Sequence, residues 1–253
     1  SVIEVSSITV SNTIPVGICP VFAVSSTDNQ RIFVLNRGSS TVSVINGQGG
    51  VLDTNTVSFK GAGFNGTLCL STPDGNGVCP PGATPAGPVQ GEYLKAANEL
   101  VVANYDAGTI SVIDVSTDVF GNDSPNFGHT VTIPVGTHPS AVTALQDGTK
   151  AYVANQGDGT VSVVNLSSFT VERVIPVTGH PRSIYSVTNS IYSKAYVVSP
   201  DTSTVTVIRS DTDIISALIA VQGNVVDVHP QTQTAGSGGN AVNVSRTPGS
   251  GQP

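Results

Sequence analysis

Short runs in which apolar residues fall on every second position fill most of this chain, and Gly, Asp, Asn or Pro breaks them at regular intervals. Ala151 and Val153 mark one such run and Val161 and Val163 the next, with a turn rich in Gly and Asp between them. Successive side chains of a strand point to opposite faces, so a period of two broken by turn residues predicts a β-hairpin. A third run, 141–145, precedes this hairpin and ends in Gln146-Asp-Gly-Thr149, and a fourth, 170–177, follows it. The group therefore predicts four antiparallel strands.

The group recurs. Residues 149–164 reappear in register as 30–45, 99–113 and 194–208, and the equivalent positions Asn36, Asn104, Asn155 and Ser199 lie 68, 51 and 44 residues apart. Four-stranded units at a period of about forty residues are the signature of β-propeller blades. The expected fold is all-β, with about four blades over residues 14–223. Two intervals exceed the basic period, which places insertions at 61–88, after the fourth strand of the first blade, and at 120–129, between the third and fourth strands of the second. Residues 1–13 alternate like a strand that completes a blade or a neighbour. Residues 224–253 read as one more strand and a flexible tail rich in Gly, Ser, Thr and Pro.

Tyr152-Val-Ala-Asn155 resembles the tetrapeptide that names the YVTN family of β-propeller repeats, and Phe33-Val-Leu-Asn36, Val101-Val-Ala-Asn104 and Tyr196-Val-Val-Ser199 match it more loosely. Thr109-Ile-Ser-Val-Ile-Asp114 is similar to the family's next segment, and Ile14-Pro-Val-Gly17 and Ile133-Pro-Val-Gly136 to its Ile-Pro-Val-Gly. The resemblance implies rings of about seven blades. Four are fewer, so blades from a longer precursor or strands of another chain are expected to cover the open edges. It also implies a surface or extracellular protein, and related propellers include lactone hydrolases.

Charge narrows the partners. The formal net charge is −7, only 11% of residues are charged, and Lys and Arg are scattered singly. No basic stripe exists to neutralise phosphates, which argues against nucleic acid. The longest apolar stretch, 214–221, falls far short of the roughly 20 residues that a membrane helix needs. Cys69 and Cys79 flank a Gly- and Pro-rich loop too polar to order itself, so a disulfide there is expected, and with it an oxidising, extracellular or cell-surface location. The chain starts at Ser1 with no leader, which suggests processing from a precursor. Sequons stand at Asn65, Asn122, Asn165 and Asn243.

Candidate chemistry gathers on the loops expected to share the channel face. These are His138 and His180, each followed by Pro, with Arg37, Tyr105, Asp106, Gln156, Asp158 and Asp201. A ring of His and Asp can bind metal or act as acid and base. However, His138 and His180 share one repeat column, where His-Pro sets a turn and Cys19 replaces His, and turn formation accounts for the three Asp residues. No hydrolase, haem, phosphate-loop or calcium-loop motif is present. The expectation is a non-catalytic binding, scaffold or assembly module with no catalytic residues, cofactor or metal. Its partner is a protein, a glycan or copies of itself, and the alternatives are strand-exchanged assembly and a lactonase-like hydrolase.

Overall fold

The computed structural model describes residues 2–4, 6–47, 51–52, 66–71, 75–76, 79–187, 193–230 and 242–246, and every helix-or-strand element among them is a strand. A hairpin comes first, β1 (Val2–Glu4) against β2 (Thr9–Asn12). Blade one follows, with β3 (Pro20–Ser25), β4 (Arg31–Asn36) and β5 (Thr41–Asn46), then β6 (Val51–Leu52), β7 (Thr67–Cys69) and β8 (Gly75–Asn76). Three four-stranded antiparallel sheets come next. Blade two is β9 (Pro88–Leu94), β10 (Glu99–Asn104), β11 (Thr109–Asp114) and β12 (Thr130–Pro134). Blade three is β13 (Pro139–Ala144), β14 (Lys150–Asn155), β15 (Thr160–Asn165) and β16 (Thr170–Pro176). Blade four is β17 (Ser183–Val187), β18 (Lys194–Val198), β19 (Thr204–Arg209) and β20 (Ile214–Ala220). A second hairpin, β21 (Val225–Pro230) with β22 (Val242–Arg246), ends the described chain.

Two parts of the sequence reading change. The insertion at 61–88 does not simply follow a finished fourth strand. Its own β7 takes the fourth-strand place beside Thr41–Ser43, with β8 paired outside it, while among the described residues β6 pairs only with Ile45 and Asn46. The reason is burial. Leu68, Cys69 and Leu70 are buried against the blade, and the Cys69–Cys79 disulfide, with Cα atoms 5.1 Å apart, holds the loop that follows. Part of the stretch read as a flexible tail is a strand, since Val242–Arg246 pairs with β21. Residues 231–241, 247–253 and Asn65 lie outside the described residues.

The chain divides into two compact units, residues 1–107 with 111–132, and 108–110 with 133–253. In the first, Phe33, Leu35 and Val42 of blade one pack with Leu100 and Val102 of blade two and with Phe127 from the 115–129 connection. The Phe33 and Tyr93 rings stack with centroids 6.5 Å apart. In the second, Tyr152, Ala154, Val161 and Val163 on one face of blade three meet Ile184, Ala195, Val197 and Ile208 of blade four. The opposite face of blade four supplies Val198 and Val205 to Val225 and Val228 of β21. Middle strands are thus buried on both faces. The small polar residues that alternate with their apolar ones, Ser43, Ser111, Ser162 and Thr206, are therefore buried as well, whereas all seven residues of the outer strand β20 are exposed.

Candidate functional site

The turns that carry the candidate residues are built around one buried polar column. Asn155 is fully buried where β14 ends. Its Nδ2 donates to Thr160 Oγ1 and Ser162 Oγ at 3.0 and 2.9 Å, and its Oδ1 accepts the Gly136 N–H at 3.2 Å. Asn36 donates likewise to Thr41 and Ser43, and Asn104 to Ser111. One side chain thereby joins the end of the second strand to the third strand, and in blade three also to the turn entering the blade. A buried amide left without such partners is costly, which explains why Asn, the following Thr-x-Ser and the preceding Gly recur together. The Gly is required by space, since a Cβ at Gly136 would lie 2.5 Å from the Asn155 amide carbon. Ser199 stands in the column in blade four and donates to the Thr178 carbonyl instead.

Around this column lie the residues singled out from the sequence. In the first unit Arg37, Tyr105 and Asp106 come together. Arg37 Nη2 donates to Asp106 Oδ1 at 2.9 Å, and its guanidinium sits 4.9 Å from the centre of the Tyr105 ring. Both charged groups are partly exposed, and the Asp106 hydrogen bond raises the Arg37 pKa further.

In the second unit Asp158 accepts the Thr137 backbone N–H, and Gln156 N donates to the His138 carbonyl at 3.0 Å. His138 has φ 52°, and Cys19 in the same repeat column has φ 53°, so this position turns the chain into its blade. Asp201 accepts the His180 backbone N–H at 3.0 Å and faces His180 Nδ1 at 2.7 Å. These backbone hydrogen bonds are the leading reason that both carboxyls titrate below the ordinary carboxylate range. The structure thus brings Arg37 to Tyr105 and Asp106, Asp158 and Gln156 to the 137–138 turn, and Asp201 to His180. Among the described residues no three of His, Cys, Asp and Glu gather as a metal-binding group.

Two polar clusters escaped the sequence reading. Arg31 Nη2 bonds Asp123 Oδ1 and the Gly121 carbonyl, each at 3.1 Å, with side chains 6% and 0% exposed. This buried pair fastens the 115–129 connection of blade two to blade one. The second cluster joins blades three and four. Asp213 accepts Lys150 Nζ and the Tyr152 hydroxyl, and Arg173 donates to the carbonyls of Thr212 and Asp213. Burial, then the hydrogen bond to Asp213, raises the Tyr152 pKa. The only sequence signal for either was a charged residue opening a strand otherwise destined for the core.

The four-stranded blades agree with known folds. Solved structures similar to this chain include hydrazine synthase of Kuenenia stuttgartiensis, at 17% identity and TM-score 0.61, over 83% of this chain and 52% of that one. Dihydro-heme d1 dehydrogenase in complex with DHE matches at 12% and 0.61, over 84% and 40%. U3-55K matches at 12% and 0.61, over 84% and 55%. The chain spans about half the length of these proteins or less. Identity this low speaks for the fold alone, a β-propeller of four-stranded antiparallel blades. No family model and no curated protein matches the sequence.

Proposed function

We propose that this chain is a non-catalytic propeller of the YVTN-repeat type, secreted or at the cell surface, whose loops contact a protein or glycan. The supporting observation is how the turn residues are used. Asp158 and Asp201 hold backbone amides, and His180 and Arg37 are tied to neighbouring carboxylates, so the polar groups stiffen a surface instead of converging on a reacting centre. The disulfide suits an oxidising compartment. Among the described residues no helix is long and apolar enough to cross a membrane. Arg37, Tyr105 and Asp106 offer a guanidinium, a ring and a carboxylate together, a combination suited to a sugar or a polar loop. Surveying the purified chain on glycan and surface-protein arrays tests the reading. Binding that Tyr105→Ala and Arg37→Ala both weaken supports it, and turnover of lactones that depends on His138 or His180 replaces it with the hydrolase reading.

A second reading, assembly through copies of itself, is favoured by apolar side chains in solvent on the outer strands and first hairpin. Ile3, Ile8 and Val10 are exposed there, as are Ile214, Leu218 and Ile219. Mass measured by light scattering across a concentration series tests it, and a constant monomer mass rules it out.

A further inference from the structure

The two terminal hairpins correspond to different halves of a blade. Residues 2–10, Val-Ile-Glu-Val-Ser-Ser-Ile-Thr-Val, repeat residues 163–171, Val-Val-Asn-Leu-Ser-Ser-Phe-Thr-Val, and the match runs on through Ile14-Pro-Val16 and Ile175-Pro-Val177. The backbone agrees, because Ile8 and Phe169, at equivalent positions, both take positive φ, 54° and 55°. β1 and β2 are therefore the third and fourth strands of a blade. At the other end, the β21–β22 ladder copies the β13–β14 ladder pair for pair. Val225 faces Arg246 as Pro139 faces Asn155, a register shift follows in both, and His229 faces Asn243 as Thr143 faces Tyr152. β21 packs on blade four through Val225 and Val228, so β21 and β22 are the first and second strands of the next blade.

Among the described residues each hairpin supplies two strands of a blade, and the two pairs are different ones. Val163 and Val164 on β15 are 0% exposed, whereas their counterparts Val2 and Ile3 are 39% and 59% exposed. β21 covers only the inner part of its face of blade four. Beyond it lies an open groove of about 380 Å³ over β18–β20, floored by Tyr196, Val207, Ala217 and Ile219 and rimmed by Lys194 and Arg209. Between blades three and four the equivalent face, at Tyr152 and Val163, meets Ile208 of the third strand and Asp213 in the turn from the third strand to the fourth. Among the described residues β1 and β2 pair only with each other, as do β21 and β22, which leaves a strand edge open on each hairpin.

We propose that the β1–β2 hairpin of a second copy of this chain adds to β22, completes this blade and fills the groove on blade four. Transferred through the repeat, the Tyr152–Val163 pair places Val2 of one copy opposite Asn243 of the other. The contact is head to tail, with a different surface from each copy, and such contacts build rings or filaments. This inference rests on the assembly reading and names its partner surface.

Paired cysteines test it. In a Cys19→Ser background, Val2→Cys and Asn243→Cys are made as two separate chains and as one doubly substituted chain, with far-UV circular dichroism as the control for folding. Oxidising the mixture of single variants is expected to give a disulfide-linked dimer containing one chain of each. Neither variant alone gives that species, and an excess of synthetic peptide 1–17 abolishes it. Oligomers that form without this cross-link overturn the strand pairing and leave the assembly reading standing, and monomers at every concentration overturn both. A doubly substituted chain that cross-links only within itself overturns the second copy as occupant.

Discussion

Removing Asp123 isolates the buried ion pair that ties the 115–129 connection to blade one. Its carboxylate is fully buried, and the Arg31 guanidinium it meets at 3.1 Å is 6% exposed, so neither charge can turn to water when the other is lost. Breaking such a pair from one side costs about 3–5 kcal/mol, because an uncompensated charge stays buried. Asp123→Ala is expected near the lower end, since the Gly121 and Gln30 carbonyls still accept from Arg31. The double variant Arg31→Met with Asp123→Leu removes both charges and is expected within about 1 kcal/mol of the parent. Urea unfolding followed by tyrosine fluorescence measures both, the chain having six Tyr and no Trp. A single variant that loses under about 1 kcal/mol, or a double variant no better than the single, refutes the claim that burial makes this pair structural.

Three further outcomes follow from the geometry. Asn155→Ala leaves Gly136 N, Thr160 and Ser162 without their shared partner and should cost about 2–3 kcal/mol by urea midpoint, with Asn155→Ser less damaging because Ser199 already serves in blade four. Replacing Cys69 and Cys79 by Ala frees a short loop in the unfolded chain and should lower stability by about 3 kcal/mol, read by the same assay. Asp158 and Asp201 have folded pKa values below their unfolded ones, so the stability they add is full above about pH 4 and fades as pH falls through the folded values; Asp158→Asn with Asp201→Asn should flatten that acid limb of the urea midpoint.

Much of the blade was legible because a repeat states the same pattern four times. Apolar residues at the positions of Val161 and Val163 recur at the same offset in all four repeats and Asn155 in three of them, so chance agreement is small. Within the candidate site, the Asp residues and the His-Pro turns could be read as turn formers, and the structure has Asp158 and Asp201 on backbone amides. The pairing of Arg37 with Asp106 and Tyr105 was not legible as a contact, since it joins loops 69 residues apart in different blades. Nor was the buried partner of Arg31, which lies 92 residues away in a connection far longer than the four-residue turns at the same place in blades three and four.

Local alternation, turn chemistry and repetition belong to the sequence by itself, because each depends on neighbours within a few residues, and together they determined the four-stranded blade and its all-β class. Packing between segments distant along the chain decided the rest. The fourth-strand place of blade one went to β7 because Leu68, Cys69 and Leu70 gain more from burial there than from staying in a loop. The tail produced β22 because an otherwise unpaired β21 edge lay beside it. The first hairpin shows the difference most clearly. Its residues spell strands three and four as fully as 163–171 do, yet Val2 and Ile3 stand in solvent where Val163 and Val164 are buried, because burial depends on a neighbouring blade that no local sequence can supply.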